Sequence, residues 1–390
     1  MKRTLFKRVA IMAAASLIFY GCKKQSSPGP DNTTVAVHRF GVNPMTDDQW
    51  NFVPVFAPDV LGKGAKGTGL VAGTLPSSFL LSSPAVRDQG QIGSCTGFCG
   101  AETDAILKYY KTVVAPVTST GLDSAHGLTT AVSTQFSGTS LFGTSGALSP
   151  LFIYYVERCV INGGSIGSDP GASMVNICQT LQGLSTNTTS GRTLTKKISG
   201  VTYTFSGDCT ENLYAYPTTA TPSSSQYTTP PSSTAIASAP SFKIGAQSGT
   251  TGSSGTTTHG YYVINSTSRV NDVKVALYNK KPVMMGFNVY DNSAYQYFEG
   301  LGVTGYSPNK FVYNPLTTSG SLISGLSLLG GHAVPIIGYI DQAGAPGGGY
   351  FIVENSWNTN WGYQGYFYMP YSVLASTTIV PAGSLYVCII

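Results

Sequence analysis

The chain has 390 residues, of which only 10% are Asp, Glu, Lys or Arg, and its formal net charge is +5. That length suits one domain of about 300 residues with an N-terminal leader. So sparse and nearly balanced a charge excludes a basic nucleic-acid surface, and the abundance of Ser, Thr, Gly and Tyr suits a protein outside the cytoplasm.

Residues 1–21 read as a signal peptide. Lys2, Arg3, Lys7 and Arg8 form a basic start, and the apolar stretch after them is too short for a comfortable membrane span. Phe19-Tyr20-Gly21-Cys22 resembles a bacterial lipobox, which implies a lipidated Cys22 at the N-terminus of an exported, membrane-anchored lipoprotein, periplasmic or at the cell surface; an ordinary signal peptide or an uncleaved anchor stays open. Loss of the leader removes four positive charges and leaves a net charge of +1. Residues 22–40 are polar, with Pro28 and Pro30, and read as a tether. Residues 41–74 form an N-terminal segment for which a short pro-segment, a wrap around the domain and a linker all stay open. Within it, Gly62-Lys63-Gly64-Ala65-Lys66-Gly67 has the spelling of a dinucleotide loop but no βαβ unit around it, so it reads as a plain loop.

In Gln89-Gly90-Gln91-Ile92-Gly93-Ser94-Cys95, the cysteine precedes apolar positions Phe98, Ala101, Ala105 and Ile106, whose spacing predicts a buried helix with Cys95 in its first turn. Residues 111–147 are rich in Thr, Ser and Gly and read as a first insertion. A helix is expected around Leu148-Ser149-Pro150-Leu151-Phe152-Ile153-Tyr154-Tyr155. Asp169 suits the cap and Pro170 the first turn of another, ahead of Met174, Val175, Ile177 and Leu181. A second insertion spans about 184–260, and alternation in Lys197-Ile198 and Val201-Thr202-Tyr203-Thr204-Phe205 predicts a small hairpin inside it. Both insertions are expected to edge a cleft. Beyond them, Gly330 and Gly331 suit a tight turn into a buried strand through Ala333, Val334, Ile336 and Ile337, and a second strand at 350–353 leads to Asn355.

These residue types suit nucleophilic catalysis. A free thiol has a pKa near ~8.5, so attack at neutral pH needs help towards the thiolate. The first turn of a helix carries partial positive charge, and a nearby imidazolium adds more. Of the four histidines, only His332 stands in a strand-like setting. Asn355 has an oxygen that can hold one ring nitrogen while the other faces the thiol, with Trp357 as a shield from water. Gln89 carries an amide that can donate to an oxyanion, beside the N–H of Cys95.

The order Gln89, Cys95, Gly331-His332, Asn355-Ser356-Trp357, with Trp361-Gly362 and Gly365-Tyr366 behind, resembles the papain-like cysteine peptidases. The likeness extends discontinuously over 75–390, through Leu75-Pro76, the 148–155 stretch, the Cys209–Pro217 segment and 273–286. It implies an α+β fold, a helical subdomain plus a β-barrel-like subdomain with the active-site cleft between them. It also implies hydrolysis of peptide bonds in extracellular proteins or peptides through a thioester, by a monomer that needs neither cofactor nor metal. Gln89 becomes the oxyanion donor, Cys95 the nucleophile, His332 the general base and acid, and Asn355 its orienter, with Gly171, Gly331 and Trp357 on the substrate. The chain departs from the family at Thr96 (commonly aromatic, so one cleft wall is changed), Ile92 (commonly cysteine) and Asn358 (commonly glycine). His332 lies well beyond the ~130–150 residues expected after the nucleophile. Of the seven cysteines, Cys209 is open to pairing with Cys159 or Cys178. A rival reading is a non-catalytic surface lipoprotein that uses this fold to bind peptide, glycan or a partner protein; a binding module, however, has no need of all four catalytic residue types.

Overall fold

The computed structural model describes residues 39–44, 53–56, 75–112, 135–163, 169–185, 192–217, 227–245, 260–302 and 311–390. The signal peptide, Cys22 and the Gly62–Gly67 loop lie outside these residues, as do parts of both insertions. In chain order, β1 is Val42–Asn43, β2 Ser78–Leu80, β3 Ala172–Ser173, β4 Leu184–Ser185, β5 Arg192–Ile198 and β6 Val201–Phe205. There follow β7 Tyr261–Val263, β8 Val283–Asp291, β9 Ser327–Asp341, β10 Gly349–Glu354, β11 Tyr366–Pro370 and β12 Leu385–Cys388. No helix among the described residues is long and apolar enough to cross a membrane.

Two halves meet along one seam. The helical half holds the Cys95–Thr112 helix, the Pro150–Tyr155 helix, which runs on as a π-helical turn over Val156–Ile161, and the Met174–Gln182 helix. The β half is a seven-stranded antiparallel sheet in the order β11-β10-β9-β8-β12-β7, with β2 also paired to β9. Its core packs Phe287, Phe298, Tyr313, Trp357, Trp361 and Phe367 together. A second core lies in the seam, where Cys95, Cys99, Ala101 and Ala105 of the first helix meet Met284 of β8 and Ala333 of β9. That helix meets solvent only in its last part. From Cys95 to Leu107 every residue is buried, because the helix is enclosed by the sheet on one side and by other helices on the other.

Close packing there depends on two glycines. A Cβ on Gly97 would lie 2.3 Å from the Pro150 carbonyl oxygen, and one on Gly100 would lie 2.6 Å from Cγ2 of Ile177. Ser149 caps the Pro150 helix by accepting from the Phe152 N–H at 3.1 Å, with proline in the first turn as expected. Arg87 ties the approach to Cys95 onto this framework, bonding Glu102 at 2.7 Å, Glu211 at 2.7 Å and the Leu148 carbonyl at 2.8 Å.

The expected hairpin is β5 and β6, turned by Ser199 (φ 47°) and Gly200 (φ 88°), a pair of positive φ values that matches the twist of a tight hairpin. Leu194 and Phe205 pack with Phe152 and Tyr155 of the second helix, so this part of the insertion extends the helical half.

Three expectations are corrected. Asp169 and Pro170 do not start a helix: Gly171 takes φ +71°, Ala172–Ser173 form a strand, and the helix begins at Met174. Gly330 and Gly331 are not a turn but part of the continuous strand β9, with a register shift opposite Val289 and Tyr290. Cys95, Cys99, Cys159, Cys178, Cys209 and Cys388 are all buried and free, so Cys209 pairs with neither Cys159 nor Cys178.

Several carboxyls are buried in the helical half. Burial pushes Asp104 up to about 7 and Glu157 up to about 8, the latter opposed by a bond from the Thr96 hydroxyl and by Arg158. Raised carboxyls hold protons more tightly folded than unfolded, so their contribution is full below the ordinary carboxylate pKa and is lost as pH climbs through the folded values. The melting temperature is therefore expected to fall between about pH 4.5 and pH 8, with Glu157→Gln flattening the slope; a slope unchanged by that substitution counts against the assignment. Separately, Gly97→Ala is expected to destabilise by about 1–3 kcal/mol through overpacking, outweighing its helix-propensity gain of ~1 kcal/mol. Thermal unfolding followed by circular dichroism checks this, and a melting point at or above the parent's would show that the helices have room to spare.

Candidate active site

The Cys95 sulfur sits at the first residue of its helix, fully buried in the seam, and accepts from the backbone N–H of Ala333, the neighbour of His332 on β9. His332 Nε2 lies 2.7 Å from Asn355 Oδ1, and that oxygen also accepts from the Ser356 N–H at 2.8 Å. Strand β10 delivers Asn355 one residue past its end, beside β9 in the sheet, so adjacent strands fix the pair. Trp357 lies 5.2 Å from the imidazole, ring to ring, and itself packs on Phe298 and Trp361. Water is thereby kept from the His332–Asn355 bond, which strengthens it.

Gln89 is fully buried and its amide is oriented from both ends. Its Oε1 accepts from the Ser356 hydroxyl at 2.6 Å and its Nε2 donates to the Ile92 carbonyl at 3.0 Å, which leaves one amide N–H for the cleft. The loop from Gln89 to Ser94 is held by Tyr216, which donates to the Gln89 carbonyl at 2.8 Å and therefore accepts from the Ser94 hydroxyl at 2.5 Å. Asn358 takes φ 55°, a left-handed conformation that asparagine tolerates, and its amide bonds Asp88 at 2.8 Å. Thr96 does not line the cleft: its hydroxyl donates to Glu157 Oε2 at 2.7 Å, within the π-helical turn.

The cleft is occupied by the chain itself. Residues 39–44 form a strap in which β1 pairs in parallel with β3, Val42 opposite Ala172, while the Ala172 N–H donates to the Gly41 carbonyl at 2.7 Å. Gln89 Nε2 donates to the Arg39 carbonyl at 2.9 Å. Phe40 packs against both His332 and Trp357, at 5.8 and 5.7 Å between rings. Asn43 Nδ2 bonds the Pro170 carbonyl at 3.0 Å. The residues expected to meet substrate, Gly171, Gly331 and Trp357, all border this strap. A Cβ on Gly171 would come within 1.9 Å of the Gly41 oxygen, and one on Gly331 within 2.6 Å of the Val42 oxygen. Both glycines therefore keep the groove wide enough for a backbone.

The strap presents an N–H to the sulfur, that of Gly41. Burial pushes the Cys95 thiol up to about 12, and the charge of Glu157 pushes the same way, against the N–H groups of Ala333, Gly41 and Thr96. The helix terminus thus does not prevail while the cleft is covered, and the thiol stays protonated at neutral pH. Sequence reasoning missed Arg39, Asp169, Ser356 and Glu157. Only the Cys209–Pro217 segment gave a signal, for Tyr216.

Residues 198–380 match the family described as "Papain family cysteine protease", a stretch that holds His332 and Asn355 but not Cys95. Among curated proteins, the chain is 34% identical over 99 residues to the cathepsin B-like cysteine proteinase 4 of Caenorhabditis elegans, covering 25% of this chain and 23% of that protein. It is also 29% identical over 111 residues to an uncharacterized peptidase C1-like protein of Acanthamoeba polyphaga mimivirus, covering 28% and 29%. The matched stretches thus span less than a third of these relatives. Among solved structures, xylellain, a cysteine protease from Xylella fastidiosa, superposes with a TM-score of 0.57 at 23% identity, covering 90% of this chain and 95% of that one. The described residues carry the papain-like α+β fold, and residues 198–380, a little under half of the chain, are similar in sequence to the papain family of cysteine proteases.

Proposed function

We propose that the protein is a cysteine peptidase, held latent by its own residues 39–44, that hydrolyses peptide bonds of extracellular proteins or peptides. The observation that carries this reading is the convergence of the Cys95 sulfur, the His332–Asn355 pair and the Gln89 amide on one groove that already holds a peptide backbone. With the strap displaced, His332 takes the thiol proton and Cys95 attacks the scissile carbonyl. The oxyanion is received by Gln89 Nε2 and the Cys95 N–H. His332 then returns the proton to the leaving amine, and water hydrolyses the thioester through the same base. Asn355 holds the imidazole in one tautomer throughout.

Residues 1–21 and Cys22 support an exported lipoprotein tethered ahead of the strap, and the reaction as written calls for neither metal nor cofactor, nor for a second subunit.

Arg39→Glu sets a carboxylate against Asp169 and is expected to release the strap. In the reduced chain it should raise iodoacetamide labelling of Cys95 by about tenfold or more, the equivalent of one lost charge-assisted hydrogen bond. The same chain should hydrolyse a fluorogenic peptide library, and Cys95→Ala should lower that turnover by about 10³-fold or more. Labelling without Cys95-dependent turnover sinks the peptidase reading. For the anchor, labelled palmitate should enter the expressed chain in a bacterial host and be absent from Cys22→Ser; equal incorporation, or none in either, removes Cys22 as the lipid site.

A further inference from the structure

Asp169 is a carboxylate with a side chain only 2% exposed, set at the wall of the cleft. One oxygen accepts from the Gly93 N–H at 2.8 Å, two residues before the nucleophile, and from Arg39 Nη1 at 2.8 Å. The other accepts from the Tyr154 hydroxyl. Burial holds that phenol well above its usual range, so it remains a donor. On the far side, the Arg158 guanidinium lies 5.0 Å over the Tyr154 ring and 5.0 Å over the Tyr227 ring. Gly93 is also held close: a Cβ there would lie 3.3 Å from Asp169 Oδ1.

One residue of the strap touches two parts of the site at once. Arg39 places its carbonyl on the Gln89 amide and its guanidinium on Asp169. The reach from oxyanion donor to buried carboxylate is therefore one arginine side chain. A substrate residue whose scissile carbonyl takes the place of the Arg39 carbonyl on Gln89, with the chain running the same way, has its side chain within the same reach. When the strap leaves, Asp169 keeps the Gly93 N–H and the tyrosine hydroxyl but loses the guanidinium bonded to it. The carboxylate is enclosed while the guanidinium on it is 35% exposed, so a cation there gains a charge-assisted hydrogen bond that water only partly screens.

We propose that Asp169 is the specificity-determining residue of the cleft, selecting arginine or lysine at the substrate position that supplies the scissile carbonyl, and that Arg39 occupies this pocket in the latent chain. The assignment rests on the peptidase reading above and names its substrate class: proteins or peptides cut after a basic residue. Citrulline, which has the shape of arginine without its charge, is the discriminating comparison.

Two measurements test it, one of them independent of turnover. In the full chain carrying Arg39→Ala, benzamidine should raise the melting temperature in a saturable way, and the effect should vanish in Arg39→Ala/Asp169→Asn. In the same two chains, paired fluorogenic peptides ending in arginine or citrulline before the reporter amide should differ in kcat/KM. The arginine-to-citrulline ratio is expected to be about 30 or more with Asp169 and to approach one with asparagine. Benzamidine binding that depends on Asp169, without turnover of any peptide, upholds the pocket and sinks the peptidase reading. Turnover with no preference for arginine, or with a preference that Asp169→Asn leaves intact, overturns the pocket and spares the peptidase. Absence of benzamidine binding to Arg39→Ala also overturns it.

Discussion

The chemistry of this chain depends on a seam with no slack. Cys95 comes from a helix and His332 from a strand, so their relation is only as well fixed as the packing between the halves. Gly97 and Gly100 let the Cys95 helix sit against its neighbours at backbone distance, and Ala333 is small enough to bring β9 against the sulfur. Close-packed interiors transmit displacement instead of absorbing it. A shift of either half would move the imidazole relative to the thiol, and nothing else in the site would restore it. Arg87, tied to Glu102, Glu211 and Leu148, anchors the residues leading into that helix.

Much of this was legible in the residues. The helix beginning at Cys95, the strands leading to His332 and Asn355, and the β5–β6 hairpin all follow from periodicity and turn chemistry. Asn358 was visible only as an odd residue after Asn-Ser-Trp, and its φ of 55° explains the position as one where glycine or asparagine alone sits without strain. The misreadings share a cause. Asp169-Pro170 has the spelling of a helix start, yet the carboxylate is drawn to Gly93, Tyr154 and Arg39, none of them near it in sequence. Gly330-Gly331 has the spelling of a turn, yet Gly331 serves to clear room for the Val42 backbone. Local sequence carries propensity, whereas these positions answer to partners brought up by the fold.

The same limit applies to Cys95. From sequence, a thiol at a helix terminus beside a histidine reads as activated. Its actual environment includes Glu157 in the π-helical turn, held by Thr96, and a strap covering the sulfur. Three elements far apart in the chain set that electrostatic balance, and no spacing rule connects them.

The strap also bears on what can enter the cleft. Its pairing with Ala172–Ser173 is covalently joined to the site it fills, so it competes at an effective concentration on the order of millimolar, whatever the dilution of the protein. Dilution cannot wash it out, and an incoming peptide of weak affinity is excluded however abundant its individual contacts. Access is then governed by the ratio of two local affinities, one tethered and one free. Any event that lengthens or severs the connection behind Arg39 or Asn43 alters that ratio without touching a single atom of the site.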